Sequence, residues 1–318
     1  MAEPRKHEKY DALIYACHAL APVRTAVAHP CDEASLSGAV EAAAAKIIKP
    51  ALVGPEARIR KLAASLGLDL AGLQLVDAPH SHAAAEKAVE IVRAGAANAL
   101  MKGSLHTDEL LAEVVRKDGG IRTARRISHV FIMDVPTYPK PLFITDAAVN
   151  ILPTLEDKVD IVQNAIELAQ ALGIKLPKVA ILSAVETVTS KIPSTIDAAA
   201  LCKMAERGQI TGALLDGPLA LDNAISRDAA AIKHIASPVA GDADILLVPD
   251  LEAGNMLAKE LTFLADADAA GIVLGARVPI ILTSRADNLR TRMASCAVAA
   301  LFAHARRVAA ADIGKLAD

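Results

Sequence analysis

Short apolar runs alternate with amphipathic stretches along the first half of the chain. Residues 23–28, 51–53, 73–76 and 98–101 read as strands. Between them, residues 35–46 carry helical spacing, and Ile59, Leu62, Ala63 and Leu66 form one apolar helical face that Gly67 ends. Pro55 suits the first position of that helix. A further helix buries Ala85, Ala88, Val89 and Val92 and stops at Gly95. Strands alternating with helices across short loops predict a doubly wound α/β layer.

The rhythm breaks over residues 116–129, which hold Gly119, Gly120, Arg122, Arg125 and Arg126, and strands resume at 130–135 and 143–145. After Asn150, Thr154 and Asp157 form a capping-box-like start. Val159, Val162, Ile166 and Ala169 follow as a helical stripe that ends at Gly173. A strand at 179–182 precedes a helix that Ser194 and Asp197 are expected to cap. The change of style places a domain boundary near Asn150. The last helix, from about residue 286 to 306, is expected to return to the first domain. The expected division is 1–149 plus 276–318 for one α/β domain and 150–275 for a second, inserted one.

Three closely spaced segments repeat one pattern, in which an apolar run stops, a polar loop follows and a helix begins. They are residues 212–215 entering DGPLALDNAIS, 245–248 entering PDLEAGNMLAKEL, and 279–282 entering TSRADNLRTRMAS. In an open parallel sheet, ligands sit outside the carboxyl ends of strands, and helix N-termini there present free N–H groups to anions. Asp216, Asp222, Asp250, Asn255, Ser284 and Arg285 therefore become candidate site residues.

Composition narrows the function. Of 318 residues, 53% are hydrophobic but only 2% aromatic, and Trp is absent. The core must come from Ala, Val, Ile and Leu, as in helices packed on buried strands. Few aromatics and a net charge of -3 argue against a nucleic-acid groove, which needs basic stripes and stacking rings. No apolar stretch approaches the ~20 residues of a membrane span. The charged start MAEPRKHEKYDAL is unlike a signal peptide, which points to the cytoplasm. Cys17, Cys31, Cys202 and Cys296 lack CxxC spacing and read as free thiols. Cys31 stands near a helix start, where a thiol pKa can fall. His80, His82 and His106 do not form a metal-ligand set, so no metal is expected.

Lys102, Gly103 and Ser104 also follow a strand. Gly103 permits close backbone approach, and Lys102 and Ser104 suit a phosphate or a polar oxygen of a ligand, with a plain turn as the alternative. Arg122, Arg125 and Arg126 form a basic cluster that fits ligand phosphates or a solvated face. Asp146 and Asn150 lie at the expected boundary, as cleft residues or caps. Asp222 is well placed as an N-cap.

KGSLHT, FIMDVP, LLDGPLALDNA, PDLEAGN and VPIILTSR, in that order, resemble the phosphate acetyl/butyryltransferases over nearly the whole chain. The version LTSRAD with RMAS following is closer to the butyryltransferase branch, and it is also similar to the transferase half of proteins that fuse a hydratase domain in front. The resemblance implies a fold shared with isocitrate and isopropylmalate dehydrogenases, with two α/β domains around a cleft, usually paired as homodimers. It implies acyl-CoA and inorganic phosphate as substrates, acyl phosphate and CoA as products, and no bound cofactor. The family's Ser-Arg pair falls on Ser284 and Arg285. Its PDL-x-x-GN loop falls on Pro249, Asp250, Leu251, Gly254 and Asn255. Acetyltransferases of the family place a catalytic carboxylate seven positions beyond the serine, where this chain has Thr291.

Two alternatives stand beside the transferase, the first of them kept open by that departure. One is a non-catalytic acyl-CoA-binding module; the other is a metal-dependent dehydrogenase of the same fold. At a thiol pKa of ~8.5, about 3% of CoA is thiolate at pH 7, a shortfall of ~2 kcal/mol that a base or cationic surroundings can supply, with Asp216 and Asp222 as candidate substitutes for the absent base. Stabilising the tetrahedral oxyanion matters more, at roughly 3–4 kcal/mol per preorganised donor. The Ser284 hydroxyl is accordingly assigned to the carbonyl oxygen and Arg285 to phosphate.

Overall fold

The structure, a computed structural model, describes residues 7–283 and 287–316, with side chains described as far as residue 311. Its contacts divide the chain into two compact units. The middle unit comprises Arg126–Ala269 with Lys9 and the described residues before it. The split unit comprises Tyr10–Arg125 with the described residues from Ala270 onward.

In chain order, the first piece of the split unit holds α1 (Glu8–Cys17), β1 (Val23–Ala28), α2 (Glu33–Ala44), β2 (Ile48–Gly54) and α3 (Glu56–Leu66). It continues through β3 (Gln74–Asp77), α4 (Ser81–Arg93), β4 (Ala99–Lys102) and α5 (Thr107–Val115). The middle unit follows with β5 (Ser128–Asp134), β6 (Leu142–Thr145), α6 (Leu155–Ala171), β7 (Lys178–Leu182), α7 (Pro193–Glu206) and β8 (Leu214–Leu219). Then come α8 (Leu221–Ile225), α9 (Arg227–Ile232), β9 (Ile245–Leu247) and α10 (Leu251–Leu264). The chain closes with β10 (Asp268–Leu274), β11 (Ile280–Ile281) and α11 (Leu289–Leu316).

Strands of the split unit run in the order β3-β2-β1-β4-β11-β10. All neighbours are parallel except β10 with β11. Buried runs such as Ala26–Ala28 and Leu52–Val53 need apolar cover on both faces, and α11 supplies part of it by packing on α2 and on β1, β4 and β11. In the middle unit the order is β5-β6-β9-β7-β8, parallel except for β5 with β6.

Several expectations shift. The units divide at Arg125/Arg126 and Ala269/Ala270, whereas the sequence pattern changes near Asn150. Because β6 pairs with β9, β5 and β6 are counted in the middle unit. Strand β8 runs on through Gly217 and Pro218 instead of stopping at Leu215. It closes that unit's strand order, where a proline costs no ladder bond. The helix at 193 is not capped by Ser194. It starts on Pro193 after Ile192, and the Ser194 hydroxyl meets the Ser183 hydroxyl at 2.9 Å. The Thr154–Asp157 capping box is present.

Candidate functional site

At the carboxyl ends of the split unit's strands, β11 lies parallel to β4 with Ile281 opposite Met101. The register brings Thr283, two residues past β11, to the same edge as Lys102, the last residue of β4. Lys102 is 7% exposed, and its ammonium donates to the carbonyls of Gly103 (3.2 Å) and Leu105 (3.0 Å). Ser284 and Arg285 lie outside the described residues.

Gly103 and Ser104 serve the backbone beside them. A Cβ on Gly103 would sit 2.3 Å from the carbonyl oxygen of Ala28 and 2.5 Å from that of His29. The close approach is therefore to β1, and the expected approach to a ligand is not what removes the side chain. The Ser104 hydroxyl donates to His29 O (2.8 Å), accepts from Cys31 N (3.2 Å) and lies 3.0 Å from His29 Nδ1. It joins the ends of β1 and β4. His29 itself has a positive φ of 54°, and burial followed by the Arg58 charge lowers its pKa. Cys31 is buried, and burial raises its thiol pKa, so the activated thiol that a helix start allows is not formed.

Beyond β11, Asn288 precedes α11 and its Oδ1 accepts from Thr291 N (2.8 Å). The position of the family's carboxylate is thus a hydroxyl in the first turn of a capped helix, 9% exposed. The next residue, Arg292, faces the interior. Its guanidinium is buried and donates to Thr283 Oγ1 (3.3 Å) and Asp287 O (3.0 Å). Arg122 carries an exposed side chain in this unit, and its backbone bridges to Ala276.

In the middle unit, the carboxyl ends of β6 and β9 hold the other group of predicted residues. Asp146, 2% exposed, accepts from the backbone N–H groups of Ala148 (3.0 Å), Val149 (3.1 Å) and Asn150 (3.1 Å), and from Asn150 Nδ2 (2.5 Å). Burial raises its pKa, and these hydrogen bonds oppose the rise. Asn150 Nδ2 also donates to Ile127 O (2.8 Å), while its Oδ1 receives Arg126 Nε (2.8 Å). Arg126 reaches Asp157 at 3.3 Å and keeps about half its side chain exposed. Only Arg126 of the basic cluster falls in this unit, so the cluster is divided.

The Pro249–Asn255 segment is packed onto the loop after β6. Asp250 is the N-cap of α10, accepting from Ala253 N (2.9 Å). A Cβ on Gly254 would lie 2.7 Å from Val248 Cγ2 and 3.0 Å from both Ala147 Cβ and Asp146 O. Asn255 Nδ2 donates to Ala147 O (3.2 Å). Asp216 lies inside β8 opposite Ala180, not in a loop, and its Oδ1 accepts from Gly217 N (2.9 Å). Asp222 does not cap α8; Ala220 holds that place. Asp222 pairs with Lys233 (3.0 Å), which also pairs with Glu186 (2.5 Å) and lowers the pKa of both carboxylates.

Sequence reasoning missed Arg292, Thr283, His29 and His129. Arg292 falls in line with Ser295, Cys296, Ala299 and Ala303 at helical spacing, a charge inside a small apolar stripe, and that was the available signal. His129 on β5 is 1% exposed, with neither ring nitrogen hydrogen-bonded among the described residues, and burial lowers its pKa to about 3. It stays neutral, edge-on to Phe131. Among the described residues no group of His, Cys, Asp or Glu could hold a metal ion, and no helix is long and apolar enough to cross a membrane.

Residues 81–300 match the family model described as phosphate acetyl/butaryl transferase. The chain is 68% identical over 306 residues to a phosphate acetyltransferase of Rhizobium meliloti, covering 96% of this chain and 97% of that one. It is 44% identical to a phosphate butyryltransferase of Clostridium acetobutylicum, covering 88% and 93%. The crystal structure of a branched-chain phosphotransacylase from Enterococcus faecalis V583 superposes with a TM-score of 0.76 at 32% identity, covering 89% of this chain and 99% of that one.

Proposed function

The chain belongs to the phosphate acetyl/butyryltransferase family, and on that footing we propose how its own residues move a short acyl group between CoA and inorganic phosphate. A phosphate oxygen attacks the thioester carbonyl carbon. The carbonyl becomes a tetrahedral oxyanion, the carbon–sulfur bond breaks, and CoA leaves as thiolate. Ser284 donates its hydroxyl to the carbonyl oxygen and Arg285 holds phosphate. Preorganised donors of this kind contribute roughly 3–4 kcal/mol each.

The observation that carries this reading is the parallel register of β11 with β4. It sets the buried ammonium of Lys102 at the strand edge from which the Ser-Arg pair departs. An ammonium held there by two carbonyls favours the phosphate dianion and the departing thiolate alike. With Thr291 in place of a carboxylate, we assign thiolate stabilisation to cationic surroundings and no general base to that position. Ser104, Gly103, Asp250 and Gly254 are assigned to shaping the loops, and Arg122 and Arg126 remain the candidates for CoA phosphates. The transferase reading displaces the non-catalytic module and the dehydrogenase.

For the acyl group we favour acetyl, because the relative at 68% identity is an acetyltransferase and the butyryltransferase stands at 44%. A cytoplasmic homodimer completes the proposal, resting on the family resemblance. The test is thiol release from acetyl-CoA and butyryl-CoA on adding phosphate. Ser284→Ala and Arg285→Ala are each expected to lower kcat at least ~100-fold. Turnover within twofold of the unsubstituted protein in both variants would remove the assignment.

A further inference from the structure

We propose that Arg292 is a positioning residue for acyl transfer, holding Thr283 and Asp287, the residues that flank the segment carrying Ser284 and Arg285. The inference rests on the assignment of that pair given above. Nη1 of Arg292 donates to the hydroxyl of Thr283, the residue before the pair, at 3.3 Å. Nη2 donates to the carbonyl of Asp287 at 3.0 Å. Two separate nitrogens of one planar group thus grip residues four apart in sequence, with the Ser-Arg pair between them.

The grip is set from the interior. Arg292 is 5% exposed and Thr283 4%. Asn288 ties the start of α11 to this point through Thr291 N (2.8 Å) and Arg292 N (3.3 Å). On the other flank, α2 leaves the arginine its space. A Cβ on Gly38 would stand 3.0 Å from Arg292 Cδ, so the missing side chain at 38 accommodates the arginine stem. A buried guanidinium is a costly way to fill space, and an apolar residue of similar size would pack more cheaply. Its fork geometry gives what an apolar side chain cannot, and a lysine ammonium, a single point of charge, does not reproduce the two-armed grip.

Chemistry gives the grip its importance. A displacement of about 1 Å in a residue that orients a reacting group costs on the order of 100-fold in rate. Arg292→Met is therefore expected to lower kcat for phosphate-dependent thiol release from acetyl-CoA by about 100-fold, with KM for acetyl-CoA within about threefold. Arg292→Lys should restore only part of the loss. Gly38→Ala, which presses on the arginine stem from α2, should lower kcat several-fold in a protein with native circular dichroism. Guanidinium ion added to Arg292→Ala should recover part of kcat, a response that simple loss of packing would not produce.

The outcomes separate cleanly. If Ser284→Ala and Arg285→Ala are inactive while folded Arg292→Met and Gly38→Ala turn over within twofold of the unsubstituted protein, the positioning role is wrong and the site assignment stands. If the two pair variants keep full turnover, the site assignment itself fails. Should Arg292→Met not fold, Gly38→Ala and Arg292→Lys decide in its place: unchanged kcat in both overturns the inference, and a kcat-selective loss supports it.

Discussion

The two ends of the strands in the middle unit are built on opposite electrostatic plans. At the amino ends, Asp242 is surrounded by Lys178 (2.6 Å), Lys140 (3.0 Å) and Arg227 (3.2 Å), while Asp244 takes Lys140 (2.6 Å) and the backbone N–H of Lys178 (2.7 Å). The hydrogen bond from Lys178, with help from Lys140, pulls the Asp242 pKa down to about 2. At the carboxyl ends, Asp146 is held among the described residues by neutral N–H donors, and burial pushes its pKa up. The same side chain is shifted in opposite directions according to what surrounds it. Where only stability is at stake, charges neutralise one another. At the carboxyl ends, neutral hydrogen bonds to Asp146 shape the loop after β6 instead.

Breaking the neutral side should have the larger effect. Asp146→Ala leaves four N–H groups without their acceptor, and each buried orphan costs about 1–3 kcal/mol, so a loss of about 3 kcal/mol or more is expected in denaturant unfolding. A loss below about 1 kcal/mol would show that the loop does not depend on this carboxyl. On the charged side, Asp242→Asn should cost about 1–2 kcal/mol near neutral pH, discounted for partial exposure.

The pH dependence sharpens the contrast. The contribution of Asp242 is fully present above the unfolded-state pKa of about 3.9 and disappears as pH falls through about 2. Asp146 has the opposite sign, because its folded pKa is raised: its carboxyl favours the folded state on the acid side, and that advantage is lost as pH rises through the raised value. On acidification the stability gap between the unsubstituted protein and Asp242→Asn should therefore close, while the gap to Asp146→Asn should shift in favour of the unsubstituted protein. Added salt should shrink the Asp242 effect and leave that of Asp146 nearly unchanged. The smallest change is expected for Asp250→Ala, which removes the N-cap of α10 at about 1 kcal/mol, measured by thermal unfolding.

Most of the element pattern could be read from local rules. Apolar runs buried on both faces announced the parallel strands, and Thr154 with Asp157 announced α6, because both signals lie within a few residues. Strand β8 was cut short in the reading because Gly217–Pro218 breaks a strand only when its ladder partners occupy both sides, and neighbours cannot be seen in a sequence. The candidate site was legible as a set of strand ends but not as a set of ligands. Ser104 and Asn255 looked like free polar groups. Their partners, His29 and Ala147, stand 75 and 108 positions away. Arg292 went unnoticed as a site residue because the sequence alone does not show that its guanidinium is buried, with Thr283 and Asp287 as partners.

One feature of the split unit bears on how the molecule is made. The strand that lies beside β4, which ends at Lys102, is β11, and it begins at Ile280. During synthesis from the amino terminus, β4 must wait for the whole middle unit to emerge before its second neighbour exists. Until then one edge of a short parallel ribbon has no partner, which is when strand edges are most prone to pair with other chains. Ser284 and Arg285, the pair proposed above for acyl transfer, come after Ile281, the last residue of that late-arriving strand, so they too are made after this interval.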